Sequence, residues 1–168
     1  MFIKKLKAQN FKSLKNFEID CKKINVFIGE PNTGKSNIAE ILRFLSALSP
    51  TQNGKLSDYI RIEQILNIFY DELTDNSMSL SFTTESDNFE LEAGYNPNKS
   101  SIILEAKSSF LENKSKREEF LEIRQDYSIQ GGKNLDFLDF IKPYIFKEPQ
   151  ILNNPGPEYL KPPFGTNI

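Results

Sequence analysis

Between an apolar run and a stretch of helical periodicity, the chain carries Gly29-Glu30-Pro31-Asn32-Thr33-Gly34-Lys35-Ser36, a match to G-x-x-x-x-G-K-[ST]. This feature constrains the fold most, because such a loop has its meaning only as the link between a strand and a helix. Upstream, Ile24-Asn25-Val26-Phe27-Ile28 has the β-branched and aromatic character of a buried parallel strand. Downstream, Ile38, Ile41, Leu42, Leu45 and Leu48 recur at helical spacing, so the loop is expected to open into an amphipathic helix. In that setting Gly29 and Gly34 let backbone N–H groups close around phosphates, Lys35 reaches the β- and γ-phosphates, and the Ser36 hydroxyl ligates Mg²⁺. The free N–H groups and the positive dipole end of the helix add to the same attraction. A Gly/Pro turn followed by a surface lysine is the plainer alternative.

The rest of the composition narrows the chemistry. At 168 residues, with 38% hydrophobic content and 14 phenylalanines, the chain suits one domain with a real core. It contains no histidine, which excludes Ser-His, Cys-His and His-metal chemistry for the chain acting alone. The lone Cys21 cannot form an internal disulfide and joins no zinc-type cluster, so a reducing, cytoplasmic setting is expected. No apolar stretch is long enough to span a bilayer, and no membrane role is expected. The net charge of −2 gives no global basic field for nucleic acid. Lys4, Lys5, Lys7, Lys12, Lys15, Lys22 and Lys23 do crowd the first part of the chain. Solvated strand edges and a local nucleic-acid patch both account for them.

Along the chain, Phe2, Leu6 and Ala8 fall on one face of an extended segment. Phe17, Ile19 and Cys21 alternate with Glu18 and Asp20 in a second half-exposed strand. Beyond the loop helix, residues 49–57 read as a loop. Ile62, Ile65, Leu66, Phe69 and Leu73 then predict a second helix over about 58–73. Residues 78–84, 88–95 and 101–106 form three strand-like runs between Asp/Asn/Gly/Pro turns, which is the pattern of an antiparallel meander. The charged stretch 109–125 reads as a surface helix, 127–130 as a short strand, 135–144 as a short helix and 149–168 as mostly loop.

Asn10-Phe11-Lys12-Ser13 followed by the glycine-rich loop and Asn37 resembles the N-terminal lobe of ABC-type ATPases of the SMC/RecF/OLD group, which carry no transmembrane domains. Residues 162–167, Pro-Pro-Phe-Gly-Thr-Asn, resemble a segment of RecF-like and OLD-like prokaryotic AAA-type ATPases. The first 48 or so residues carry the likeness; the middle follows it only in element order. The resemblance implies an α/β (mixed α+β) fold: a P-loop NTPase lobe with a mixed sheet, a P-loop helix and an antiparallel β meander. It implies ATP and Mg²⁺ as ligands and Gly29, Asn32, Thr33, Gly34, Lys35, Ser36 and Asn37 as nucleotide-binding residues, Thr33 through its backbone N–H and Ser36 through the metal. Lys12 stands where the group often has a basic residue near nucleotide or DNA, although an ordinary surface lysine fits the position equally.

The resemblance also implies what is to be sought elsewhere. In the group, ATP lies between two copies, and a signature motif and a Walker B acid come from a C-terminal lobe. Neither motif is recognisable here. The apolar run ending in Asp71-Glu72 has helical spacing, and Gln130-Gly131-Gly132-Lys133 lacks the preceding Leu-Ser and reads as a turn. Gln64, Gln125, Gln130 and Gln150 are equal candidates for the glutamine that senses the γ-phosphate. The expectation is therefore that residues 1–168 form one N-terminal lobe, as a fragment, a split gene product or one chain of a two-chain enzyme. The missing C-terminal lobe or a second subunit, a nucleotide-dependent dimer and DNA are the expected partners. Such a lobe binds ATP with little turnover, in DNA repair, DNA maintenance or anti-phage defence. Two other functions compete: a self-contained small P-loop kinase, disfavoured because only Arg43, Arg61, Arg117 and Arg124 are available for a lid, and a non-enzymatic interaction module.

Overall fold

A computed structural model describes residues 2–110, 116–143, 145–147 and 164–166. In it, apolar/polar alternation builds one antiparallel sheet from strands β1 (Lys5–Phe11), β2 (Leu14–Asp20), β3 (Met78–Thr83), β4 (Asp87–Asn96), β5 (Ser101–Phe110), β6 (Lys116–Ile123) and β7 (Ile129–Gly131). Their order across the sheet is β2-β1-β3-β4-β5-β6-β7, with every neighbouring pair antiparallel. The meander read from the sequence is present as β3, β4 and β5, each hairpin closing on the next.

Register explains why one face is a core. Leu80 stands opposite Ala8 and Leu91, and Phe82 opposite Leu6 and Phe89, so apolar side chains line up across strands and bury together. The Phe82 and Phe89 rings stack with centroids 5.0 Å apart. Helix α1 (Lys35–Ala47) lies on this face through Ile41, Phe44 and Leu45, with Phe44 meeting Phe11 edge-on at 5.8 Å. The opposite face alternates Lys, Glu, Ser and Thr and is laced with ion pairs such as Lys107 to Glu118. At the far edge Gly131 has φ +95°, and a Cβ there would lie 2.3 Å from the Phe120 carbonyl oxygen, so the close approach of β7 to β6 requires glycine.

Several expectations need correction. The α/β expectation holds only in part: α1 is the single α-helix among the described residues, and the architecture is strand-rich. The predicted helix over 58–73 is instead a chain of 3-10 turns at Leu56–Asp58, Ile65–Ile68 and Tyr70–Glu72. Side chains compete with the helix there. The Asn67 Oδ1 accepts the Glu63 and Gln64 N–H groups at 3.1 and 2.7 Å, and Lys12 donates to the carbonyls of Arg61 and Ile68 that a helix would use internally. Asp71 and Glu72 both take left-handed backbone angles, which ends any continuation.

The predicted surface helix over 109–125 is also wrong, since β5 runs to Phe110 and residues 116–123 are strand β6. Leu121 and Ile123 are buried while Phe120 is exposed, a period of two that pairing with β5 selects over helical composition. The short helix expected at 135–144 is a 3-10 turn, Asp136–Phe140. Strand β7 lies close to its expected place. Most of the tail expected to be loop lies outside the described residues, as do Gln150 and much of the Pro-Pro-Phe-Gly segment. Within it, β9 (Phe164–Thr166) pairs in parallel with β8 (Ile145–Lys147). No helix among the described residues is long and apolar enough to cross a membrane.

Candidate phosphate-binding site

The run Ile24–Ile28 is where sequence and structure diverge most. It pairs with no strand of the described sheet, and Ile24, Val26 and Ile28 are 82%, 74% and 92% exposed. A segment apolar on both faces is built for the middle of a sheet, yet here no described strand pairs with either of its edges. It follows the Lys22–Asn25 turn, in which the Asn25 side chain exchanges hydrogen bonds with the Lys22 backbone at 2.9 Å. Phe27 lines an apolar cleft of about 330 Å³ whose walls include Leu6, Ile19, Ile38 and Leu42.

The glycine-rich loop itself is shaped as its sequence requires. Asn32 takes φ 62° and Gly34 φ +85°, so the chain turns twice through left-handed angles before α1 begins. Gly34 is the N-cap of α1, and its carbonyl accepts the Asn37 and Ile38 N–H groups at 2.9 and 3.2 Å. A Cβ at Gly34 would stand 2.9 Å from the Ser13 Oγ and 3.2 Å from Leu14 Cδ2, so both angle and space demand glycine. Thr33 Oγ1 donates to the Glu30 carbonyl at 2.9 Å and closes the loop. Lys35 lies back over the loop, its ammonium donating to the Glu30 carbonyl and, at 3.1 Å, to Thr33 Oγ1. Ser36 is exposed in the first turn of α1, which contains no acidic residue to oppose an anion.

Gly29, Asn32, Thr33, Gly34, Lys35 and Ser36 follow one another through the turn that leads into α1, where Thr33 and Lys35 both come close to Gly29. Asn37 is engaged beside it, its Nδ2 donating to Ser13 Oγ at 2.7 Å. Lys12 is elsewhere again: its ammonium pairs with the Glu40 carboxylate. Glu40 is fully buried on α1 and also accepts from Arg61 Nε at 2.7 Å. Sequence reasoning missed Glu40, and it named Ser13 and Arg61 without giving them these contacts. A signal existed for Glu40, which shares the helix face of Asn37 and Phe44 at three- and four-residue steps, so its carboxylate had to be buried or the stripe interrupted. Beside it, burial pushes the Arg43 guanidinium pKa down against the opposing pull of Glu40.

Of the N-terminal lysines, Lys4 and Lys7 are exposed and Lys5 is half-buried, and each meets a carboxylate. Lys5 and Lys7 both hold Glu18, at 2.6 and 3.0 Å, and Lys4 reaches Glu85 at 3.4 Å. The bond from Lys5, then that from Lys7, holds the Glu18 carboxyl below its ordinary value, and the Glu18 bond raises Lys5 in turn. Such cross-strand pairs on β1 and β2 are the expected dress of an exposed sheet face.

The donor set suits the phosphates and metal of a nucleotide: loop amides, a lysine within the loop, a hydroxyl beside it and no competing acid in the helix turn. A loop of this form seated on a helix N-terminus defines a nucleotide-binding domain of the P-loop ATPase class. The model of the AAA ATPase domain family matches residues 1–154, and the chain belongs to that family. It is also similar to the DNA replication and repair protein RecF of Thermoanaerobacter sp. (strain X514) and to that of Thermoanaerobacter pseudethanolicus, 29% identical to each over 104 residues, or 61% of this chain. The aligned residues span about a quarter (26%) of the length of those relatives. The SMC/RecF-like likeness read from the opening residues is therefore supported across most of the chain.

Proposed function

We propose that this chain is the Mg-ATP-binding lobe of a RecF/SMC-like ATPase. The observation that carries the reading is the loop Gly29–Ser36 on the N-terminus of α1, with Lys35 folded over it. Lys35 would exchange its bonds to the Glu30 carbonyl and Thr33 hydroxyl for the β- and γ-phosphate oxygens, while the loop amides hold the phosphates and Ser36 holds Mg²⁺. The metal would neutralise charge that develops on the transferred phosphoryl group. Activating the attacking water needs a carboxylate, and we assign it to a second lobe or subunit rather than to Asp71 or Glu72, which sit in an exposed 3-10 turn.

The same partner would supply the strands that Ile24–Ile28 lacks, so completing the sheet and completing the site become one event. A role in DNA repair or maintenance follows from the similarity to the DNA replication and repair protein RecF, and one in defence against foreign DNA from the group resemblance. Lys4, Lys5 and Lys7 reach solvent and are paired with carboxylates, so DNA phosphates would have to displace those carboxylates to bind them. Calorimetric titration with Mg-ATP, alongside Lys35→Ala and a hydrolysis assay on the same samples, tests the reading. Binding lost in the variant with negligible turnover is the expected result. Robust turnover by this chain alone would favour a self-contained enzyme, and no binding would favour an interaction module.

A further inference from the structure

Nothing in the glycine-rich loop explains why Asn10-Phe11-Lys12-Ser13 precedes it, but the structure gives each of these residues a partner. Asn10, at φ 54°, donates its side-chain amide to the Ser77 carbonyl at 3.0 Å and so fixes the turn to the start of β3. Phe11 is fully buried and packs on Phe44 of α1. Lys12, at φ 51°, donates its backbone N–H to Ile68 O at 2.9 Å and its ammonium to Glu40 and to the Arg61 carbonyl. Ser13 accepts from Asn37 at 2.7 Å. Phe44, Glu40 and Asn37 occupy successive turns of one face of α1, so the β1–β2 turn grips the helix at three heights, the last in the same turn as Lys35 and Ser36.

The energetics make the middle contact the decisive one. Glu40 has no solvent exposure, so its charge is tolerable only because Lys12, 10% exposed, and Arg61 answer it. A helix held by packing alone can rotate about its axis by sliding apolar side chains. A buried carboxylate bonded to a lysine from another element cannot turn without breaking a charged pair. Rotation of α1 would swing Lys35 and Ser36 relative to the loop and open the Gly34 approach to Ser13.

We infer that Lys12 and Glu40 are positioning residues: the buried pair locks the rotation of α1 so that Lys35 and Ser36 face bound phosphate, and Lys12 acts through Glu40 rather than on the nucleotide. The inference rests on the nucleotide-binding reading above, and the test separates the two. Mg-ATP affinity is measured for the chain, for Lys12→Met, for Glu40→Gln and for the double variant. Each single variant is expected to bind about tenfold more weakly, and the double variant no more weakly than Lys12→Met, because removing both charges leaves neither stranded. Losses that multiply to about a hundredfold would place Lys12 on the nucleotide itself and overturn the inference. Amide hydrogen exchange without nucleotide, on the chain and on Glu40→Gln, supplies the second arm. Exchange in residues 37–42 is expected to quicken at least tenfold while β3 to β5 keep their protection; equal protection of α1 in both proteins overturns the lock. Failure of the unaltered chain to bind Mg-ATP would instead sink the nucleotide reading and with it the phosphate-facing role, while the exchange arm would still decide whether the pair locks α1.

Discussion

Ile28→Ala and Ile102→Ala make the same chemical change at two strand-like positions of opposite environment, and comparing them tests whether the segment before the loop is truly unsupported. Ile28 is 92% exposed, so less than a tenth of its surface is shielded and the transfer free energy at stake is about 0.2–0.3 kcal/mol. Ile102 is fully buried in β5, where removing the side chain costs the transfer term and leaves a cavity, about 2–5 kcal/mol together. Urea unfolding followed by circular dichroism should therefore show Ile28→Ala within about 0.5 kcal/mol of the parent and Ile102→Ala well below it, with a similar m-value for all three. A loss above about 1.5 kcal/mol for Ile28→Ala would mean that Ile24–Ile28 is packed in solution, and the partner-strand reading would lose its basis. A loss below about 1 kcal/mol for Ile102→Ala would refute the placement of the core on the inner sheet face.

Three further outcomes follow from the geometry. Gly34→Ala forces an L-residue into φ +85° with its Cβ 2.9 Å from Ser13 Oγ, so thermal unfolding should show about 1–2 kcal/mol of destabilisation and calorimetry a weaker Mg-ATP interaction. Phe11→Ala removes a fully buried ring and its edge contact with Phe44; a loss of about 3–5 kcal/mol in urea is expected, and a loss under 1 would deny Phe11 its core role. Asp139 accepts hydrogen bonds from Ser49 and then Thr51, which hold its carboxyl below the ordinary 3.8. Its contribution to stability is thus complete above about pH 4 and is lost as pH falls through the lowered folded value. Asp139→Asn should flatten the acid limb of a stability-versus-pH curve; an unchanged limb would assign acid sensitivity to other carboxylates.

How much of this was legible in the sequence depended on whether a residue's neighbours were local. The loop, the helix after it and the β3–β5 meander were readable because turn residues and short-range periodicity specify them. The helix expected over 58–73 failed partly to a local competitor, Asn67, and partly to a distant one: Lys12 reaches across the fold to the Arg61 and Ile68 carbonyls, and no window of local sequence contains that second contact. Strand β6 was mistaken for a helix because charged residues cover both its edges, and its period of two is visible only once Leu121 and Ile123 have β5 to bury against. Lys12 was noticed as a basic residue of interest, but its partner Glu40 was not, since burial of a carboxylate is a tertiary fact. The exposed run Ile24–Ile28 is the opposite case, a segment whose sequence demands burial that the described residues do not give it.

That mismatch bears on how the site would work. The loop is anchored firmly at one end, where Gly34 caps α1 and the β1–β2 turn grips the helix, and at the other by the Asn25 turn and the half-covered Phe27. Phosphate bound by the loop amides would order residues 29–34 and, through them, the adjoining Ile24–Ile28. Strands added beside that segment would order the same residues from the other side. Each event removes conformational freedom that the other would otherwise have to remove, so under the proposed function nucleotide affinity and strand completion are linked, and each must strengthen the other by the same factor. Under the proposed function, a phosphate loop attached to a segment that pairs with no described strand would therefore be suited to sense whether its partner is present before it holds ATP tightly.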